Sequence, residues 1–182
     1  MEKIASYILE ERDLSQKMEF LYYLKKRVDI FFDNSVILKA TLAELFIERM
    51  RITEVDENIV LTACLLYSCK KKDNPQTLDE IRAYPTKSAE FLKDLGFSEE
   101  FCRICMQHTR SIDTGERTRE GDILELVDQF GGMILHRPER RGFPVDEALC
   151  LLEYRNLKGK NNQYLEKFKK FIEELEEIKI CH

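Results

Sequence analysis

Three groups of residues have types and spacings that could do chemistry. Cys102, Cys105 and His108 stand three apart, and thiolate and imidazole donors at such spacing suit zinc. Zinc needs further ligands, however, and a structural Cys-x-x-Cys pair belongs on a turn with a second pair elsewhere. Here the pair lies in a helix-period stretch where Phe101, Ile104 and Cys105 form an apolar stripe. Buried thiols are therefore the expectation, with zinc as the alternative. The second group is His108 with Asp128 on a neighbouring helix. Asp128 sits between Val127 and Phe130, ahead of Gly131 and Gly132. A carboxylate near a core face wants a partner, because burial without one is costly. A structural hydrogen bond or ion pair is the plainer reading, and a relic ligand pair the sharper one. The third group is cationic: Lys70, Lys71 and Lys72, then Arg110, Arg117, Arg119, Arg137, Arg140 and Arg141. Such residues usually form a solvated surface, and the alternative is a pocket for an anion.

Other chemistry has little to build on. There is no Gly-rich phosphate loop, no Gly-x-Ser-x-Gly and no His-Glu-x-x-His. His108, His136 and His182 are the only histidines, which leaves little for a Ser-His-Asp triad. No basic recognition helix presents itself, and 29 basic against 34 acidic residues give a net charge of −5. A partner with an extended phosphate backbone is not expected.

The elements that must position these residues read as helices. The chain has 182 residues, 43% hydrophobic and 35% charged, with only 7 glycines and 4 prolines. That length suits one well-cored domain, and that composition excludes disorder. No apolar run approaches the roughly 18 residues of a membrane helix, and Met1-Glu2-Lys3 does not open a secretory signal. A cytoplasmic location with reduced cysteines is expected. Cys64, Cys69 and Cys150 sit among apolar residues and read as small buried hydrophobes.

Helical period predicts a helix over 15–32, and another after Ser35 with Leu38, Thr41, Leu42, Leu45 and Phe46 inward and Lys39, Glu44 and Glu48 outward. The stretch 55–71 is apolar almost all round, as the buried centre of a bundle would be. Shorter helices fit 77–83, 86–95, 99–110, 120–135 and 145–156, and a last one fits 164–178 after a break at Gly159. Ser98 reads as an N-cap, and Pro85 and Pro144 as helix starts. The expected fold is all-α: a compact multi-helix bundle over 33–182 with an N-terminal helical extension over 1–32.

In order and spacing these segments resemble the HD-GYP family of cyclic-dinucleotide phosphodiesterases, within the HD-domain metallophosphohydrolases. The resemblance runs from Asp33 to Leu175. Val127-Asp128-Gln129-Phe130, then Arg137-Pro138-Glu139-Arg140, then Glu147-Ala148-Leu149 is similar to the family's ligand aspartate, Arg-Pro-x-Arg turn and Glu-Ala-Leu helix start. Tyr84-Pro85 followed by Leu95-Gly96 resembles its His-Pro helix, Gln107-His108 falls where it carries a His-His pair, and 162–168 resembles its closing segment.

The resemblance implies a dismantled metal site. The family's first histidine corresponds to Asn34, its His-Asp pair to Tyr67 and Ser68, and its His-Pro histidine to Tyr84. Lys71, His108 and Asp128 are kept, and no Gly-Tyr-Pro follows in 111–121. In such enzymes the aspartate of the pair bridges the metals that activate water. Ser68 is neutral, Tyr67 has an ordinary pKa of about 10, and Asn34 brings no charge. The expectation is therefore an inactive domain with no metal and no cofactor, whose Asp128 pairs with His108 or Lys71. Lys71, His108, Asp128, Tyr67, Ser68, Asn34 and Tyr84 would then form a pocket remnant serving a nucleotide or a protein partner in bacterial-type signalling. Nucleic acid and membrane are not expected as partners, and homodimerisation stays open. The alternatives are a residual phosphohydrolase using His108, Asp128 and Lys71, and a structural partner-binding helical protein.

Overall fold

Helix starts are set by capping residues. Asp13, Asp33, Asp56, Thr77, Ser98 and Thr118 each hold extended backbone, and each side chain accepts a bond from an amide two or three residues on. Those amides have no partner within their own helix, so each cap satisfies a donor that would otherwise be orphaned. The computed structural model describes residues 2–72, 76–136, 140–156 and 162–180. Along them run α1 (Glu2–Glu10), α2 (Leu14–Lys25), α3 (Asn34–Arg49), α4 (Glu57–Leu66), α5 (Leu78–Asp94), α6 (Glu99–Met106), α7 (Arg119–Ile134), α8 (Val145–Asn156) and α9 (Leu165–Ile180). Among the described residues the fold is all-α, and no helix is long and apolar enough to cross a membrane. Arg137, Pro138, Glu139, Gly159 and His182 lie outside the described residues.

Helix α4 is the hub. Every residue from Val60 to Leu66 is buried, and α4 packs on α1, α2, α3, α6 and α7. A helix apolar all round has no face to give to solvent, so its neighbours must surround it. A second seam is aromatic: Phe46 of α3 meets Phe168 of α9 at 5.1 Å between ring centres, and Phe130 of α7 meets Phe168 at 5.5 Å, both edge-on. From the N-terminal stretch, Ala5, Ile8, Leu14 and Leu21 join the same core. Lys17 of α2 is buried there. Its ammonium donates to the Ile8 carbonyl at 2.5 Å and the Thr62 hydroxyl at 2.9 Å, tying the end of α1 to α4. Burial pushes the Lys17 pKa down to about 8, against the opposite pull of Glu11 and Asp56.

Several expectations change. The helix expected over 15–32 ends at Lys25, that over 55–71 at Leu66 and that over 99–110 at Met106. The helices expected over 77–83 and 86–95 are one, with Pro85 inside α5 rather than at a start. Proline leaves the carbonyl four residues back, that of the exposed Ile81, without its helical donor. Helix α5 ends in a Schellman turn. Gly96 at φ +92° lets its own N–H reach the Lys93 carbonyl while Phe97 N–H reaches Leu92. On α3 the buried line is Val36, Lys39, Ala40, Ala43, Phe46 and Ile47, while Leu45 is exposed, so Lys39 faces inward and not outward. Cys150 is exposed rather than core. Ala148 and Leu152, four apart, carry the buried side of α8, and a residue two steps past Ala148 points to the opposite side.

Candidate functional site

The polar centre of the bundle gathers one side chain from each of several helices. Lys39 of α3, Tyr67 just past α4 and Asp128 of α7 form a closed set. The Lys39 ammonium donates to Asp128 Oδ1 at 2.8 Å and to the Tyr67 hydroxyl at 2.7 Å, and the Tyr67 O–H donates to the same carboxylate oxygen. Lys39 is 3% exposed. Its stem crosses α7 at Gly131, where a Cβ would stand 3.0 Å from Lys39 Cγ. The glycine three residues after Asp128 therefore lets the lysine pass.

Beside this set, His108 lies between two tyrosine rings, Tyr67 at 4.7 Å and Tyr84 at 5.5 Å between centres. His108 Nδ1 is 2.9 Å from the Cys105 carbonyl and Nε2 is 2.8 Å from the Tyr84 hydroxyl. A carbonyl only accepts, so Nδ1 carries the proton and neutral Nε2 accepts from Tyr84. Ser68 is buried next to Tyr67. The structure thus unites Tyr67, Tyr84, His108 and Asp128, while the buried Ser68 hydroxyl has no hydrogen-bond partner among the described residues. Two expected members stand elsewhere. Asn34 is exposed in the first turn of α3, because Asp33 takes the capping position. Lys71 lies over the Phe31 ring at 5.1 Å, lining a different cleft. Asp128 pairs with Lys39, not with Lys71 or directly with His108.

Electrostatics follow from burial and this pairing. Burial alone would raise the Asp128 pKa, but the Lys39 charge, then His108, and the bonds from Lys39 and Tyr67 hold it below the usual carboxylate value. Burial, reinforced by the Asp128 charge, pushes the Tyr67 phenol well up, so Tyr67 remains a donor. Burial pushes Cys102 and Cys105 up and Cys69 to about 12. Thiols held protonated are poor nucleophiles. A metal ion does not fit this donor set. Among the described residues no three His, Cys, Asp or Glu side chains converge as a metal would need. The carboxylate best placed to take a cation already holds the lysine ammonium.

A cleft of about 430 Å³ opens beside the centre, bounded by Tyr84, His108, Asp128 and Gln129, with Arg82 and Arg155 at its rim. Gln129 Oε1 is buried there with no partner among the described residues. One turn before Asp128, the buried Glu125 anchors the next layer. Arg110 meets it in a fork at 2.6 and 2.8 Å, Arg117 at 3.1 Å and Asn162 at 3.0 Å. Arg140 donates to the Gly132 and Met133 carbonyls at the end of α7, and the Arg119 guanidinium lies against the Glu54 carbonyl. Sequence reasoning passed over both Lys39 and Glu125. The available signal for Lys39 was its place in the i, i+3, i+4 line of Val36, Lys39, Ala40 and Ala43, opposite a Gly-Gly pair.

The His108 geometry sets a pH response. Burial pushes its pKa below the usual value, more strongly than Asp128 and the Cys105 carbonyl pull it up. The unfolded chain therefore takes this proton at higher pH than the folded one. Stability contributed by neutral His108 is full above about pH 6.5 and falls as the pH drops toward the folded value, by up to about 1.4 kcal/mol per pH unit. Urea unfolding at several pH values between 7.5 and 5.5 (about two units spanning the usual histidine pKa) should show wild type losing more stability than His108→Gln. Parallel curves for the two proteins would refute the assignment.

Compared with known proteins, the chain matches no family model, no curated protein and no solved structure.

Proposed function

We propose that this chain is a catalytically silent HD-GYP-like domain, acting in the cytoplasm as a ligand- or protein-binding regulatory module of bacterial-type signalling. The observation that carries the reading is the Lys39 ammonium on Asp128, at 2.8 Å. In the resemblance Asp128 is the retained metal-ligand aspartate. A lysine bonded to it supplies internally the positive charge that a metal would have brought. Tyr67, in the position of the ligand histidine, completes the same set as a neutral donor. What is left is a helical frame with a cleft of about 430 Å³, aromatic on one side and carrying Arg82 and Arg155 on its rim. Such a lining suits capture of a nucleotide or a peptide carboxylate. With Lys39 on its carboxylate, Asp128 is already paired where the resemblance would have it hold a water-activating metal. Location in the cytoplasm accords with the described cysteines, all of them free thiols.

The test is metal content by plasma mass spectrometry after incubation with manganese and iron and dialysis, run beside incubation with a cyclic dinucleotide. Far less than one equivalent of metal, and substrate recovered intact, is the expected result. Stoichiometric metal with metal-dependent hydrolysis, both lost in Asp128→Ala, overturns the reading in favour of a residual phosphohydrolase.

A further inference from the structure

A second cleft, of about 600 Å³, shares no lining residue with the one beside Asp128. The run Lys70-Lys71-Lys72, which follows α4, forms one wall. Folding adds Lys25 from the end of α2 and Lys87 from α5. Two carboxylates, Asp29 and Glu80, also line it. Glu80 is taken by Lys72 at 2.5 Å, and Asp29, fully exposed, stands 3.9 Å from Lys70. Among the described residues the lining therefore carries five lysines against two carboxylates, an excess of three positive charges in a chain whose net charge is −5.

The way these lysines are held argues for a ligand. Lys25 Nζ donates to the Phe32 carbonyl at 2.7 Å and Lys70 Nζ to the Asp29 carbonyl at 2.5 Å. A carbonyl fixes an ammonium in place without cancelling its charge, and each ammonium has three donors, so further donors remain. Positioning costs side-chain entropy that is then already spent before a ligand arrives. Like charges gathered in a concave wall also repel, and a counter-anion relieves that repulsion. Ammonium groups act as point charges toward phosphate oxygens, while guanidinium forks serve carboxylate and phosphate alike. Among the described residues every cation lining this cleft is a lysine, a set of point charges that suits an anion of high charge density, while arginines rim the other. Phe31 and Ile30 supply an apolar patch in the same wall.

We infer that this cleft binds a compact oligophosphate, such as the di- or triphosphate group of a small organic ester. A ligand with several negative charges matches the excess, and a cleft of about 600 Å³ has room for a short anion.

The test is calorimetric titration with sodium tripolyphosphate at low salt, with amide chemical-shift mapping on the same wild-type protein. Saturable one-to-one binding is expected, with shifts concentrated at residues 25–32 and 69–72. The double variant Lys72→Glu/Lys87→Glu should weaken binding by about tenfold or more. The control Lys167→Glu/Lys170→Glu changes net charge equally on exposed positions of α9 and should bind as wild type does. No saturable binding, equal weakening in both variants, or shifts away from the two segments would each overturn the assignment. Pelleting with vesicles containing a phosphoinositide distinguishes a lipid headgroup from a soluble phosphate. Capture by vesicles without tripolyphosphate binding also counts against the inference.

Discussion

Glu125→Ala is expected to lower the unfolding free energy by about 4 kcal/mol and the melting temperature by on the order of 10 °C. Glu125 is 1% exposed and is the common acceptor for the Arg110 fork, Arg117 and Asn162, with Gln129 Nε2 at 3.3 Å. Removing it strands two guanidinium groups whose side chains are only 21–23% exposed. Partial access to water keeps the loss from being larger, and Arg117 keeps Asp122 at 2.7 Å. Glu125→Gln preserves the shape but turns an amide donor toward cations, so about half the loss is expected. Arg110→Ala should cost less than either, since the carboxylate retains Arg117 and Asn162. Urea unfolding measures the order of the three variants. Hydrogen exchange gives a local readout: in Glu125→Ala, amides of 110–118 and the start of α9 should exchange faster than those of α4. A loss under about 1 kcal/mol, or uniform acceleration everywhere, would contradict the hub role.

How far these features were legible in the chain depends on whether their cause is local. Helix α8 runs over Val145–Asn156 as expected, because Pro144 and the acidic first turn are local signals. Ser98 caps α6 through the Phe101 amide for the same reason. The burial of α4 followed from its all-round apolar character. Lys39 was not legible in the same way. Its place beside Val36, Ala40 and Ala43 set position 39 inward, but its residue type assigned it to solvent. The groups that receive its charge, Tyr67 and Asp128, come 28 and 89 positions later. Glu125 is a similar case, an acid between Leu124 and Leu126 whose partners come from the loop before α7 and the segment before α9. The resemblance pointed to Asp128, Tyr67, Tyr84 and His108, which do lie together. It carried no lysine at position 39, so the pairing was sought in His108 or Lys71.

The pairing of Lys39 with Asp128 can be measured as a cycle. Asp128→Ala is expected to cost about 3 kcal/mol, because it leaves an ammonium on a side chain 4% exposed with only the Tyr67 hydroxyl. Lys39→Met should cost less. Asp128 is 20% exposed, so its carboxylate reaches water and keeps the Tyr67 donor. The asymmetry is diagnostic: equal losses would mean that the two charges are equally screened, against the burial observed. The double variant Lys39→Met/Asp128→Leu removes both charges and puts apolar volume in their place. It should regain most of the loss, since burying the pair costs nearly as much as their attraction returns. The pH dependence follows from the lowered Asp128 pKa. Its contribution is full above the unfolded value of about 4 and is lost as the pH falls through the lower folded value. The gap between wild type and Asp128→Ala should therefore hold from pH 7 to about 4 and close below it. If the double variant is as stable as wild type but now takes up a small ligand in the cleft less well, the ion pair is kept for the site rather than for the fold. If it loses as much stability as Asp128→Ala, the helices depend on this contact for more than its charge, and the lysine is part of the frame itself.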